Sequence, residues 1–157
     1  MPSQRINLDV SFITFHDDEC PGSNITDKNS KTFVVTTGGY PQEVLLVTRA
    51  SSAKFAKITM VFEGVKDFVL EKCRVNETAF EVIAERSLPM GDGKEGKQRQ
   101  TEVLDLDPES VGKDIRMLRL RILSGYKDFA AIFNVDAIGE ESEQQMVVLE
   151  SRPEVNL

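Results

Sequence analysis

Residues 23–47 read SNITDKNSKTFVVTTGGYPQEVLLV and join a polar loop to the start of a β-rich region. The loop carries oxygen-bearing side chains at close intervals, those of Asn24, Thr26, Asp27, Asn29, Ser30 and Thr32. β-Branched residues follow at 32–37, Gly38-Gly39 marks a turn, and the apolar run 44–47 is typical of a sandwich-core strand. Carboxylate, amide and hydroxyl oxygens at this density suit a hard cation such as Ca²⁺. The same residue types also form ordinary turns, because they hydrogen-bond their own backbone.

The remainder of the chain repeats this pattern of short strands separated by turns. Residues 6–12 and 56–62 alternate apolar and polar side chains with the period of two that indicates a half-buried strand. Near residue 120, the side chains expected to face inward are Leu118, Leu120 and Ile122, with Arg119 and Arg121 facing out. Further strands are predicted at 32–37, 43–49, 66–74, 78–84, 101–106 and 129–138. Eight or nine such strands, with no convincing amphipathic helix, predict an all-β, single-domain antiparallel β-sandwich (jelly roll).

Composition excludes several classes of protein. The chain has 157 residues and a net charge of −7, and 40% of its residues are hydrophobic and 29% charged. That length fits one domain that buries about 70% of its unfolded surface. The negative charge argues against general nucleic-acid binding and against anionic membrane surfaces. No apolar run approaches the roughly 20 residues that span a bilayer, and residues 1–10 lack the apolar core of a signal peptide, so a cytosolic compartment is the default. Residues 1–140 are predicted to form the sandwich and 141–157 a loosely held polar tail.

The candidate catalytic motifs are incomplete. Residues 91–97, GDGKEGK, have the G-x-x-x-x-G-K spacing of a phosphate loop, but Gln98 stands where Ser or Thr would hold Mg²⁺, and no strand or helix pattern flanks the motif. His16 is the only histidine and no G-x-S-x-G sequence is present, so a nucleophilic triad has no recognisable setting. Cys20 and Cys73 are too few for a disulfide framework and are interpreted as reduced thiols. These observations predict that the chain is not an enzyme.

Two further groups of side chains bear on binding. The chain has no Trp, and Tyr40 and Tyr126 lie in turns where packing explains them, so sugar binding is not predicted. Arg116, Arg119 and Arg121 form a candidate basic stripe on the outer face of one strand, which serves either solubility or a partner contact. If Arg119 is an exposed contact residue, reversing its charge should weaken a complex yet change the free energy of unfolding by under about 0.5 kcal/mol.

The spacing of residues 24–43 carries a family resemblance. The region resembles the N-terminal loop of discoidin-like (galactose-binding-like, F5/8 type C-like) jelly rolls in the pattern Asn24-x-x-Asp27-x-x-x-x-Thr32-Phe33, Thr36-Thr37-Gly38, Tyr40-Pro41-Gln42-Glu43. Within that superfamily, the run TFVVTTGGYPQEVLL is most similar to the intraflagellar transport protein 25 family, once grouped with small heat-shock proteins. Residues 124–139, SGYKDFAAIFNVDAIG, resemble that family's last strand, so the resemblance spans roughly residues 6–140. Lys28 departs from the pattern, because the superfamily usually has glycine there, and glycine reaches backbone conformations that lysine resists.

The resemblance implies a non-catalytic subunit of the intraflagellar transport machinery, located in the cilium or flagellum and in the cytoplasm. It also implies a heterodimer with a Rab-like small GTPase and contacts with other subunits of the transport complex. The alternative function is a small-heat-shock-like chaperone, which would form a large polydisperse homo-oligomer instead of a discrete heterodimer.

A structural Ca²⁺ site is expected between the 24–32 loop and the end of the last strand. Its predicted ligands are the Asp27 side chain, carbonyl oxygens of Asn24 and Asn29, a backbone or hydroxyl oxygen of Thr32, and Glu140. Glu140 is included because the last strand of this fold runs beside the first and brings the two ends of the chain together. The expected role of the ion is to tie the loop to the sandwich.

Overall fold

The computed structural model describes residues 4–15, 19–29, 31–36, 39–90 and 99–142. Several sequence-based predictions fall elsewhere. His16, the phosphate-loop-like motif at 91–97 and most of the predicted tail, 143–157, lie outside the described residues.

The described residues form ten strands and a single-turn 3-10 helix, which confirms the all-β prediction. The strands, in chain order, are β1 (Gln4–Arg5), β2 (Leu8–Ile13), β3 (Val34–Val35), β4 (Gln42–Thr48), β5 (Ser52–Glu63), β6 (Val65–Arg74), β7 (Glu81–Ser87), β8 (Arg99–Asp105), β9 (Ile115–Gly125) and β10 (Ala131–Ser142). The 3-10 helix is Gly22–Ile25. The structure thus has one strand more than the eight or nine predicted. The additional strand is β1, which has two residues and is too short for an alternating pattern to reveal it. No helix in the described ranges is long and apolar enough to cross a membrane.

The strands pair in two antiparallel layers. One layer has the order β2-β4-β9-β6-β7. In the other, β5 pairs with β8 and β10, and β10 pairs along its far side with the short strands β1 and β3. The layers meet in register at the pair Ala53–Ile115 of β5 and β9. This is the antiparallel β-sandwich that the spacing of strands and turns predicts.

The core lies between the two layers and is built by alternation along each strand. From β9 it receives Leu118, Leu120 and Ile122, which are fully buried as predicted. From β5 it receives Phe55, Ile58, Met60 and Phe62. The rings of Phe62 and Phe68 bring the layers together, with centroids 5.3 Å apart. Each such side chain contributes about 1.5–3 kcal/mol when fully buried, so the sandwich is held together mainly by this apolar layer.

Lys72 is a cation at one end of this core. The residue is only 3% exposed, and its Nζ donates a hydrogen bond to the backbone oxygen of Val111 at 2.6 Å. Burial lowers the pKa of Lys72, and the charge of Arg74 lowers it further, while Glu81 and Glu77 oppose the shift. The charged form of Lys72 is therefore less stable in the folded chain than in the unfolded chain.

We expect the free energy of unfolding to have a component that increases with pH as the pH approaches the pKa of an unfolded lysine, about 10.4. In that window the unfolded chain binds more protons at Lys72 than the folded chain does, so raising the pH favours folding. Lys72→Met should remove this component, and the same change at exposed Lys57 should leave it. Urea unfolding followed by circular dichroism between about pH 8 and 10.5 measures the difference. Parallel pH profiles for wild type and Lys72→Met would contradict the expectation.

Candidate metal centre

The oxygen-rich loop is anchored to the sandwich at its N-terminal end. Ile25, at the end of the 3-10 helix, is fully buried in the core. Gly22 lies so close to Val10 and Ile13 that an added Cβ would lie 3.3 Å from both side chains. The side-chain amide nitrogen Nδ2 of Asn24 donates to the backbone oxygen of Phe33 at 3.0 Å. These contacts fix the N-terminal end of the loop, which precedes its exposed oxygen-bearing residues in the chain.

The middle of the loop turns through a left-handed residue. Lys28 has a φ of +66°, a conformation that lysine adopts at some cost and that glycine adopts freely. Oδ1 of Asp27 accepts a hydrogen bond from the backbone N–H of Asn29 at 2.9 Å. Oδ1 of Asn29 accepts one from the backbone N–H of Lys31, also at 2.9 Å. Lys28 thus takes a left-handed conformation despite not being glycine, and side-chain bonds to the loop's own backbone support the turn.

Oxygen atoms of three predicted ligand residues, Asp27, Asn29 and Asn24, converge at the hydroxyl of the fourth, Thr32. Its Oγ1 lies 2.8 and 2.7 Å from the two carboxylate oxygens of Asp27. It also lies 3.1 Å from the backbone oxygen of Asn29 and 3.5 Å from that of Asn24. A hydroxyl has one proton to donate, so most of these contacts bring lone pairs together with no hydrogen between them. Such a surplus of hard oxygen acceptors matches the chemistry that Ca²⁺ requires.

The oxygen atoms that converge at Thr32 include only one negatively charged group. Asp27 is the only carboxylate within the converging group, and the rest are carbonyl and hydroxyl oxygens. Across the described residues, no cluster of three or more His, Cys, Asp or Glu side chains is placed to hold a metal ion. Neutral oxygens with a single carboxylate fit a hard cation and give no soft ligand for zinc or copper.

The predicted fifth ligand, Glu140, lies beside a different partner. It is in register with Lys54 of β5, whose Nζ forms an ion pair with Glu109 at 3.1 Å. The next residue, Glu141, accepts hydrogen bonds from the backbone N–H and side-chain amide of Asn7, at 2.8 and 3.3 Å.

Asn7 links that carboxylate to the loop, because Nζ of Lys28 donates to Oδ1 of Asn7 at 3.4 Å. The register irregularity beside Ile138 and Gly139 lies on β5, where Ala56 is the extra residue, so alternation along β10 continues and gives Glu141 the same parity as Ala137 and Gly139. Gly139 is required there, because an added Cβ would lie 1.9 Å from the backbone oxygen of Lys54.

The two tyrosines use their hydroxyls on backbone carbonyls. Tyr40 donates to Lys127 at 2.9 Å and Tyr126 donates to Leu88 at 2.6 Å. Burial is the main factor that raises the pKa of Tyr40. Tyr40 also lines a cleft of about 750 Å³ together with Val35, Thr36, Gly39, Ser124, Gly125, Lys127, Asp128 and Phe129.

The predicted basic stripe contains two arginines, and Arg116 is not part of it. Nη1 of Arg116 donates to the backbone oxygens of Thr48 and Ala50, at 2.8 and 2.5 Å. Residue 116 is also the extra residue in β9, because Cys73 pairs with Met117 and Arg74 with Ile115, so the alternation that places Arg119 and Arg121 on the outer face does not extend to it. Arg116 therefore ties down the turn after β4, and Arg119 and Arg121 remain on the outer face.

Both cysteines are free thiols. Cys73 is buried, and its Sγ donates to the backbone oxygen of Glu77 at 3.1 Å. Burial, more than the nearby charge of Glu77, raises the pKa of Cys73. A protonated, buried thiol is a poor nucleophile and a poor metal ligand.

Solved structures place the fold in a known class. The family 32 carbohydrate-binding module of C. perfringens NanJ in complex with galactose aligns with a TM-score of 0.69 and 15% identity, over 87% of this chain and 99% of that one. A chain from the structure of reduced XRCC1 bound to DNA pol beta catalytic domain aligns with a TM-score of 0.69 and 12% identity, over 85% and 97%. At these identities the likeness concerns the fold, which is that of the discoidin-like, galactose-binding-like jelly rolls.

Sequence similarity narrows the class to one family. The mouse intraflagellar transport protein 25 homolog is 31% identical over 134 residues, which cover 83% of this chain and 86% of the mouse protein. Intraflagellar transport protein 25 of Chlamydomonas reinhardtii is 30% identical over 131 residues, and the match spans 64% of its length. No family model matches the chain. The chain belongs to the intraflagellar transport protein 25 family.

Proposed function

We propose that the chain is a non-catalytic subunit of the intraflagellar transport machinery that forms a heterodimer with a Rab-like small GTPase and acts at the cilium or flagellum. The observation that carries this proposal is family membership, since the relatives are named as intraflagellar transport proteins. The side chains support a recognition role. The thiol of Cys73 is buried, and the hydroxyls of Tyr40 and Tyr126 are bonded to carbonyls. These three groups make structural contacts, as expected if the chain acts through surface recognition.

We also propose that the loop holds a structural Ca²⁺. Asp27 would provide the carboxylate, Asn24 and Asn29 backbone carbonyls, and Thr32 its hydroxyl, because these oxygens already converge. Glu140 remains the predicted fifth ligand. When bound, the ion would supply a positive charge that holds these oxygens together and fixes the loop to the sandwich. The Glu140→Gln variant, with Glu141→Gln as its control, tests which carboxylate takes part in binding.

The heterodimer is tested by mixing the purified chain with the small GTPase subunit and separating the products by size. We expect a shared one-to-one peak at micromolar concentration, with its mass measured by light scattering. A stable pairing should bury at least about 1,200 Å² in total. Separate peaks would contradict the heterodimer. A large polydisperse homo-oligomer of the chain alone would instead support the chaperone alternative.

A further inference from the structure

Lys28 provides the oxygen-rich loop with a cation of its own. Residues 24–32 contain one carboxylate, that of Asp27, and two ammonium groups, those of Lys28 and Lys31. The loop therefore has a net charge of +1 in a chain whose net charge is −7. The affinity of an oxygen site for Ca²⁺ depends on the charge of its ligands, so two lysines beside a single carboxylate are unfavourable for a divalent cation.

The side chain of Asn7 determines what the ammonium of Lys28 contacts. The backbone N–H and Nδ2 of Asn7 both donate to Oε2 of Glu141, at 2.8 and 3.3 Å. An ionised carboxylate only accepts hydrogen bonds, so the NH₂ group of Asn7 faces Glu141 and its Oδ1 takes a donor from elsewhere. Nζ of Lys28 is that donor, at 3.4 Å. The three side chains therefore form a chain of hydrogen bonds in a fixed order, from the loop through Asn7 to the end of β10.

Asn7 belongs to the rigid part of the sandwich, and Lys28 does not. The two neighbours of Asn7 in the chain, Ile6 and Leu8, are buried in the core. Residues 27–29, in contrast, are all exposed. The contact between Lys28 and Asn7 therefore ties an exposed part of the loop to a fixed point on the strands, which is also the role expected of the ion.

We propose that Lys28 sets the calcium affinity of the loop by tying the loop to the sandwich in the metal-free chain, and this rests on the proposed calcium site. A bound Ca²⁺ would hold the same loop through its oxygens, and its charge would repel the ammonium of the residue next to Asp27. The contact of Lys28 with Asn7 is therefore worth more without the ion than with it. An interaction that favours the metal-free state weakens binding of the ion by the same factor.

The test removes the two lysine charges of the loop one at a time. Lys28→Met and Lys31→Met make the same change in charge, but among the described contacts only Lys28 donates a side-chain hydrogen bond to the strands. Titration calorimetry with CaCl₂ at low ionic strength measures the Kd of each variant. We expect Lys28→Met to lower the Kd about three-fold or more, since an exposed contact changes an equilibrium constant by up to about five-fold. Lys31→Met should lower it less than about two-fold. In EDTA, followed by circular dichroism, Lys28→Met should melt below Lys31→Met, and in saturating Ca²⁺ the two should melt together.

The outcomes separate this proposal from the calcium site itself. If wild type binds Ca²⁺ and the two variants change the Kd equally, the contact with Asn7 does not set the affinity, and the proposal is overturned while the calcium site stands. If Ca²⁺ binds neither wild type nor Lys28→Met, the calcium site fails and this proposal fails with it. Binding by Lys28→Met alone would support the proposal, because it would show that Lys28 weakens the site in the wild-type chain.

Discussion

Calcium should raise the melting temperature of the isolated chain, and EDTA should lower it again. An ion at about 100 times its Kd stabilises the folded state by roughly 2.7 kcal/mol, which for a domain of this size corresponds to about 5–10 °C. The physical reason is that Asp27, Asn24 and Asn29 hold oxygen lone pairs around the Thr32 hydroxyl with too few protons to separate them. Differential scanning calorimetry with EDTA, Ca²⁺ and Mg²⁺ measures the shift. Ca²⁺ should exceed Mg²⁺, because Mg²⁺ demands a regular octahedral site.

Asp27→Asn should abolish the calcium-dependent shift. The substitution removes the charge but keeps the oxygen that accepts the hydrogen bond from the backbone of Asn29, so the turn survives. Asp107→Asn is a matched control, since Oδ1 of Asp107 accepts an equivalent hydrogen bond from the backbone of Glu109 at 2.9 Å. That control should keep the full shift. Identical melting temperatures for wild type in EDTA and in excess Ca²⁺ would show that the loop has no such site.

The pattern of side chains predicts the strands well, because burial in a sandwich depends on local alternation. Leu118 and Leu120 are buried and Arg119 faces out, as a period of two requires. A predicted strand at 78–84 is displaced, and β7 begins at Glu81 instead. Its preceding residue, Phe80, contacts the guanidinium of Arg119. A tertiary contact of this kind leaves no periodic trace in the sequence.

The candidate metal centre is predictable in its location and less so in its details. The density of oxygen-bearing residues in the 24–32 loop identifies it, yet two of the converging oxygens are backbone carbonyls, of Asn24 and Asn29. Backbone oxygens converge only through the path of the chain, which includes the left-handed residue Lys28. The contact between Glu141 and Asn7 likewise joins residues far apart in the sequence, at a point where Ala56 is an extra residue in β5 and Gly139 lies close to Lys54. No rule of alternation contains that information.

Arg119 was predicted to be an exposed position, and the structure shows it to be partly buried, so the expectation that charge reversal has almost no effect on stability no longer follows. The side chain of Arg119 is 31% exposed and that of its partner Glu71 only 9%. The hydrogen bond that Arg119 donates to Glu71 is the main factor that raises the pKa of Arg119. The Phe80 ring lies over the guanidinium. Arg119 therefore neutralises a carboxylate that is already largely removed from water.

Arg119→Glu should lower the free energy of unfolding by about 2–4 kcal/mol, because losing the partner of a buried charge costs about 3–5 kcal/mol and partial exposure reduces that cost. Arg49→Glu is the control, since the Arg49–Asp9 ion pair also joins two strands but has side chains that are 66% and 46% exposed. Exposed pairs contribute under about 1 kcal/mol.

Urea unfolding followed by circular dichroism measures both variants. The double change Arg119→Met with Glu71→Leu should recover most of the loss, because an apolar pair needs no partner charge. Equal losses for Arg119→Glu and Arg49→Glu would show that Glu71 is effectively solvated. A loss confined to Arg119→Glu would show that the carboxylate of Glu71 is largely removed from water and depends on Arg119 as its partner.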